Sequence, residues 1–241
     1  MHDTLLAVYG PQGWWPAESS FEVILGAYLT QNTSWKAVTR SLANMRTARV
    51  FSFSALREVS LYKLQELIRP SGFITRKAQA LKTFVAMLDA EFQGSLDVLA
   101  DLPTPELRAR LLALPGVGPE TADAILLYAL GHPVPVADEY LRRITERHEL
   151  VEAKAGGNRK GYDGLVQLTR AAFSMDADAS RLQLYREFHA LVVAVGKAHC
   201  RKMPRCEACP LSPDLPRGTL SDRMPQARRN SLLPPSRQIK K

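Results

Sequence analysis

Two features of this 241-residue chain carry groups able to do chemistry or hold an anion. The first is Leu114-Pro115-Gly116-Val117-Gly118, followed twenty residues after Gly118 by Asp138. Leu111, Leu112 and Leu114 end one apolar helical run, Pro115 to Gly118 make a tight hairpin, and Pro119 opens a second helix. That helix carries Ala122, Ile125, Leu126 and Ala129 on one face. Two glycines two apart permit backbone conformations closed to other residues, so amide groups can face outward. At a helix N-terminus the partial positive charge favours an anion, and a nucleic-acid phosphate is the natural candidate. Asp138 follows Pro133 and Pro135 and precedes a helical stretch, so it reads as an N-cap. A side chain held at a helix start is also pre-positioned as a carboxylate. The second feature is a late, odd-numbered set of cysteines, Cys200, Cys206 and Cys209, a pattern that suggests metal rather than disulfides.

The elements that must position these groups are helical. Apolar residues recur at helical spacing in Phe21-Ile24-Leu25-Tyr28-Leu29, Trp35-Val38-Leu42-Met45, Leu61-Leu64-Leu67-Ile68 and Ala78-Leu81-Phe84-Val85-Leu88. Leu107 to Leu114 lead into the hairpin. Helices are expected near 139–148, 162–174 and 181–199, the last with Leu184, Phe188, Leu191, Val192 and Val195 on one face. Pro103, Pro133 and Pro135 break the pattern, strand signals are nearly absent, and an all-α chain is predicted. Glu152 to Gly161 reads as a mobile loop. Residues 216–241 lack apolar periodicity and are expected to be a disordered basic tail.

Hydrophobic content of 46% suits a globular core, and no apolar run reaches the eighteen residues of a membrane span. No secretory leader is evident at the N-terminus. A cytoplasmic protein is therefore expected, nucleoid-associated if the source is bacterial. The net charge is +8. Seven basic residues against one acid in 216–241 contribute +6 of it, so the body is nearly neutral. The tail would add non-specific nucleic-acid affinity by counterion release, or simply be solvated. The hairpin is the stronger sign of a nucleic-acid partner.

The hairpin, together with Val136-Ala137-Asp138-Glu139-Tyr140 and Leu141-Arg142-Arg143, resembles the helix-hairpin-helix DNA glycosylases of the endonuclease III-like branch. The likeness runs from about Ser20 to about Asp214. Within that group Gly10-Pro11-Gln12-Gly13-Trp14-Trp15-Pro16 and Leu29-Thr30-Gln31-Asn32-Thr33-Ser34-Trp35 resemble the 3-methyladenine glycosylase III (endonuclease III-related) branch. The resemblance implies two helical lobes flanking a cleft. One is a six-helix barrel at 19–135 containing the hairpin, and the other a terminal lobe from 1–18 and 136–215 with an iron–sulfur loop. Asp138 would lie at the mouth of the cleft.

On this resemblance Pro115, Gly116, Val117 and Gly118 grip the DNA backbone, and Arg143 is a further DNA contact. Asp138 becomes the catalytic carboxylate: it would stabilise the oxocarbenium-like sugar and orient or deprotonate the attacking water. Bifunctional relatives carry a lysine where this chain reads Gly118-Pro119-Glu120-Thr121-Ala122. A carboxylate cannot form an imine, so Glu120 implies a monofunctional hydrolase with absent or weak lyase activity. Glu120 also suits the first turn of a helix for its charge alone.

A base must be flipped out before it can be cut. Gln31 is implied as the residue that fills the vacated space and Phe73 as the wedge on the opposite strand, the alternatives being a helix cap and a core residue. Trp14, Trp15 and Pro16 are either a stacking pocket for an electron-poor alkylated purine or core packing. Family members with a 4Fe-4S cluster use Cys-x6-Cys-x2-Cys-x5-Cys, whereas this chain has Cys-x5-Cys-x2-Cys, with Asp214 where a fourth ligand should fall. A cluster on three cysteines plus Asp214 is one reading. Others are a cluster with an open iron site, zinc with His199, or three unligated thiols. The resemblance implies a monomer acting on double-stranded DNA with a damaged base. A glycosylase for oxidised or mismatched pyrimidines, or a damage-binding protein with little catalysis, are the alternatives.

Overall fold

The computed structural model describes residues 1–151, 159–175 and 178–216. The tail beyond Pro216 and the stretch 152–158 lie outside the described residues, so the expectation of a disordered tail and most of the expected mobile loop fall there; residues 159–161, expected in that loop, instead form the first turn of a helix. The described residues form helices and turns with no strand, in the all-α arrangement predicted. In order they are α1 (His2–Tyr9), α2 (Ser20–Leu29), α3 (Trp35–Thr47), α4 (Phe53–Glu58), α5 (Leu61–Leu67) and α6 (Ile74–Phe92). Then come α7 (Leu96–Ala100), α8 (Thr104–Ala113), α9 (Pro119–Ala124), α10 (Glu139–Arg147), α11 (Arg159–Ala172) and α12 (Asp178–Ala198).

Serines start many of these helices. The hydroxyls of Ser19, Ser34, Ser52, Ser60 and Ser95 each accept a backbone N–H of the first turn of α2, α3, α4, α5 and α7. Such a cap is worth about 1 kcal/mol. α4 and α7 span fewer than two turns, which is why periodicity does not reveal them.

α2 is buried along its whole length from Phe21 to Leu29, not on one face only. Glu22 is buried with it and is held by Arg46 Nη2 at 2.6 Å and by the Glu18 N–H at 3.0 Å. A helix apolar all round belongs at the centre of a bundle. The first core gathers around it, drawing on residues from Phe21 to Val134. A second core combines Leu5 with residues from Ala137 to Leu211. A third, smaller cluster joins Val23, Ala124, Leu127 and Tyr128 to Val136 and Tyr185, with Trp14 and Trp15 packed on it.

The helix after the hairpin is not continuous. α9 passes into a π-helical turn at Ile125–Ala129, with Leu130 N–H bonded to Ile125 O at 3.1 Å. Single π turns recur where a helix must redirect side chains. Arg186 of α12 donates to the Leu127 carbonyl from Nε at 3.0 Å and Nη2 at 2.9 Å. The same turn sends Tyr128 Oη to within 2.7 Å of His189 Nδ1 on α12. The irregularity therefore ties the hairpin-bearing helices to the C-terminal ones.

Candidate active site and nucleic-acid interface

The hairpin forms as the sequence suggests, with one correction. Gly116 sits at φ 77, where a β-carbon is disfavoured. Gly118 is extended, at φ −94 and ψ 174, a conformation any residue adopts. A β-carbon there would meet nothing within 4 Å. Only Gly116 needs glycine for its backbone; at Gly118 the absent side chain leaves an open face. Val117 N–H closes the turn on Leu114 O at 3.2 Å.

Gln31 Nε2 donates to Gly116 O at 3.0 Å and to Thr121 Oγ1 at 3.1 Å. It is bound to the hairpin and caps no helix. Phe73 is 60% exposed, which excludes a core role, and its backbone is left-handed at φ 47. The Lys77 ammonium lies 5.8 Å from the Phe73 ring centroid. Lys77 itself is buried and donates to Leu29 O at 2.9 Å and Ser71 O at 2.8 Å. Gln31 and Phe73 share a small recess with Arg76 and Gly116.

Beside that recess lies a cavity of about 1050 Å³. One wall comes from 30–35 and from the hairpin and α9, including Gly116, Val117, Gly118, Glu120 and Thr121. The other comes from Asp138, Tyr140, Tyr162, His189, Val193 and Lys197. Trp14, Trp15 and Trp35 line it as well.

Asp138 is the N-cap of α10. It is 8% exposed, and Oδ1 accepts the Leu141 N–H at 2.8 Å. Its Oδ2 faces His189 Nε2 at 3.7 Å. The cap and the pre-positioned carboxylate are thus the same side chain. Glu120 stands in the same cavity. Burial, and then the negative charge of Asp138, push its pKa up to about 7, with Glu139 acting the same way and His189 opposing.

The tryptophans pack on the core and also border the cavity. Trp15 packs edge-on to Trp35 with centroids 5.5 Å apart and lies 5.2 Å from Tyr128. Gly26 makes the room: a β-carbon there would stand 3.3 Å from Trp35 and 3.4 Å from Trp15. Trp14 and Trp15 also border the cavity, and their indole N–H groups are buried without a hydrogen-bond partner. The Lys197 ammonium lies 5.2 Å from the Trp14 ring.

Pro115 is exposed on the hairpin, as its expected role requires, and does not border the cavity. Pro16, expected with the tryptophans, is exposed and does not border the cavity. Arg143 is committed internally: Nε donates to Cys200 O at 3.0 Å, Nη1 to Glu139 Oε1 at 3.1 Å, and the guanidinium lies 5.0 Å from the Tyr140 ring. Sequence reasoning missed Trp35 and Tyr140 as wall residues, though both lie in segments it singled out. It missed Arg76, Tyr128, Tyr162, His189 and Lys197 because their part in the site depends on long-range packing.

The sulfur loop gives a mixed result. Cys200 Sγ accepts from Arg147 Nη1 at 3.0 Å. Burial raises the Cys209 thiol pKa, and Cys206 and Cys200 are near enough to raise it further. Asp214, however, is exposed at the end of a 3-10 turn, with His148 Nδ1 3.3 Å from its backbone carbonyl. Among the described residues no group of three or more His, Cys, Asp or Glu side chains is arranged to hold a metal. The three sulfurs with Asp214 do not fit a four-ligand cluster site. No described helix is long and apolar enough to cross a membrane.

Comparison with known proteins agrees with this geometry. Residues 25–160 match the HhH-GPD superfamily base excision DNA repair proteins. A Methanocaldococcus jannaschii protein with the provisional name DNA repair glycosylase is 40% identical over 213 residues, spanning 88% of this chain and 92% of its own. The structure of H. pylori 3-methyladenine DNA glycosylase bound to 1,N6-ethenoadenine superposes with a TM-score of 0.64 at 32% identity, covering 80% of this chain and 92% of that one. A non-covalent endonuclease III–DNA complex shares the fold, with a TM-score of 0.69 at 20% identity over 92% of this chain and 95% of that one. Family match and close relative agree over most of the chain, and the chain belongs to the HhH-GPD superfamily of base excision DNA repair proteins.

Proposed function

We propose that the chain is a monofunctional DNA N-glycosylase that receives a flipped, damaged base in the tryptophan-lined cavity and hydrolyses its glycosidic bond. The observation that carries this reading is Asp138: one oxygen is fixed by the α10 N-terminus, and the other opens on a cavity of about 1050 Å³. A carboxylate so held meets developing positive charge on the sugar without having to reorganise. The hairpin lobe, 19–135, would hold the duplex through Gly116 to Gly118. Gln31 and Phe73 would occupy the opened duplex, a reading supported by the recess they share. The lobe of 1–18 and 136–215 supplies Asp138 and its partners.

Glu120 supports hydrolysis without a lyase step, because the hairpin offers a carboxyl where an imine would need an amine. An alkylated purine is the substrate class we infer. The indole faces favour an electron-poor ring, and the similar H. pylori protein is a 3-methyladenine glycosylase.

Single-turnover assays on duplexes bearing 3-methyladenine, thymine glycol or a G·T mismatch test the proposal. Base release from the alkylated duplex alone, leaving an intact abasic strand and no borohydride-trapped protein–DNA adduct, is the expected result. Tight binding with no abasic site on any duplex would make this a damage-binding protein instead.

A further inference from the structure

Glu120 is an acidic group of the cavity that the hydrolysis proposed above leaves without a task. It sits in the first turn of α9 and shares the cavity with Asp138, His189 and the three tryptophans. Its carboxyl makes no hydrogen bond to another described residue. Water reaches it in the free protein, yet it lies within a concave wall, so a base that fills the cavity completes its burial. The titratable groups facing it are Asp138 and Glu139 at the start of α10, His189 on α12, and Tyr162 on α11, whose hydroxyl pKa the Glu120 charge helps to raise. Lys197 and Arg76 stand further around the same cavity, with Lys197 over the Trp14 ring.

Two ionised carboxylates lining one cavity repel each other, and a cation lying with them relieves that cost. A cationic base supplies that charge, and both carboxylates then gain from its presence. An uncharged base supplies none, and by displacing water it raises the cost of the second charge. The Leu141 N–H donates to Asp138 Oδ1, whereas no described donor compensates a charge on Glu120, which is therefore the carboxyl that takes up a proton. A protonated carboxyl is also a hydrogen-bond donor, which the ionised form is not.

We propose that Glu120 sorts flipped bases by charge: ionised, it holds a cationic base beside Asp138; protonated, it donates a hydrogen bond to an acceptor atom of an uncharged base. The inference rests on the reading that a base enters this cavity. Binding a cationic base then releases a proton from Glu120, and binding an uncharged base takes one up. The midpoint between the two behaviours falls near the pKa of about 7 that burial and Asp138 produce.

The test compares the full-length protein with Glu120→Gln, a fixed mimic of the protonated form, between about pH 5.5 and pH 8.5. Single-turnover release is measured from duplexes carrying 3-methyladenine, which is cationic in DNA, and 1,N6-ethenoadenine, which is not. In the wild type the ratio of cationic to uncharged release should climb across the range, approaching tenfold per pH unit on its steepest part. In Glu120→Gln the ratio should be flat, with cationic release down at least tenfold and uncharged release retained. An unchanged ratio and pH profile in Glu120→Gln overturns the inference.

Calorimetry on the wild type, with a 3,9-dialkyladeninium cation and 9-alkyladenine as free-base probes in two buffers of different ionisation enthalpy, covers a misfolded variant. Proton release with the first probe and uptake with the second is expected. The same proton count for both, or binding of neither, overturns the inference. If the wild type frees no base from any duplex but still shows the opposite proton counts, the glycosylase reading fails and the sorting role of Glu120 stands.

Discussion

His189 Nε2 stands 3.7 Å from Asp138 Oδ2, while Asp138 Oδ1 is held at 2.8 Å by the Leu141 N–H. The gap is too wide for a direct hydrogen bond. One oxygen therefore serves the helix, and the other is left for the cavity. His189 does not drift into that gap, because Tyr128 Oη holds its far nitrogen at 2.7 Å and the π turn holds Tyr128. The carboxylate is oriented from the helix side and bounded by the imidazole.

This division of labour predicts that Asp138→Asn separates catalysis from folding. Asparagine caps a helix about as well as aspartate, so thermal stability should stay close to wild type. Base release should fall by at least a hundredfold, the scale of removing a preorganised charge from a transition state. Asp138→Ala should lose the same activity and about 1 kcal/mol of stability besides. Single-turnover rates and melting curves on both variants check this, and activity retained in Asp138→Asn would remove the assigned role.

Asp138 and the hairpin were legible in the sequence because their signals are local: breakers, a cap position and the spacing of two glycines. Helix order followed from periodicity for the same reason. What stayed hidden depends on packing at long range. Nothing in the order of α12 marks His189, which lies among Leu191, Val192 and Val195, as facing a carboxylate fifty-one residues earlier. α2 looked amphipathic and proved central, and Glu22 could be buried there only because Arg46, from the next helix, reaches it. Local turn chemistry also misled at Gly118, where sequence suggests a conformational need and the structure shows an extended residue beside open space.

Gly196 predicts a tight steric limit between α12 and α10. A β-carbon there would lie 2.3 Å from Tyr140 Cδ1 and 2.7 Å from its Cβ, so ring rotation alone gives no relief. Gly196→Ala should cost about 1–3 kcal/mol, the range for overpacking a core. Tyr140→Ala in the same background should recover much of it. Denaturant unfolding of the single and double variants measures the coupling, and additive losses would mean the two residues do not meet.

A buried carboxylate beneath the site gives a stability prediction with a pH sign. Asp123 is fully buried; it accepts from Arg108 Nε at 2.7 Å and Nη2 at 3.0 Å, and from Tyr162 Oη at 2.9 Å. Burial raises its pKa, and the Arg108 guanidinium offsets part of that. Arg108→Met leaves the charge without its main partner, at a cost of about 3–5 kcal/mol near neutral pH. The Asp123 pKa would climb further, so the native state would bind a proton the unfolded chain lacks, and stability would fall as pH rises. The loss should therefore shrink on acidification, and Asp123→Asn added to Arg108→Met should reduce it at pH 8. Chemical denaturation at pH 5 and pH 8 reads both effects.

The sulfur loop predicts a metal-poor protein. Cys200 accepts from Arg147, Asp214 is exposed, and no metal-holding group is found among the described residues. Because the described side chains do not form a metal-holding group, the protein is expected to emerge from purification under chelator without a stoichiometric four-iron cluster. Iron and acid-labile sulfide analysis, with absorbance near ~400 nm, measures this. Four irons per chain surviving the chelator would overturn this expectation and mean that the loop closes around a cluster, on three cysteines with an open iron site or with a further ligand.

Glu120 makes the last prediction, one that needs no substrate. Its folded pKa of about 7 lies above the ordinary value of 4.5. Between those values the native state keeps a proton that the unfolded chain has lost, so this residue's contribution to stability falls as pH rises through that window. Above about pH 7 the native protein holds the unfavourable charge beside Asp138. Glu120→Gln removes that charge at every pH. Its melting temperature relative to wild type should therefore rise between pH 5 and pH 7.5 and then level off. Solvent access to the empty cavity reduces the size of the effect but not its sign. A difference that stays flat from pH 5 to pH 8 would show that the Glu120 carboxyl is not held against its charge by Asp138 and the cavity wall.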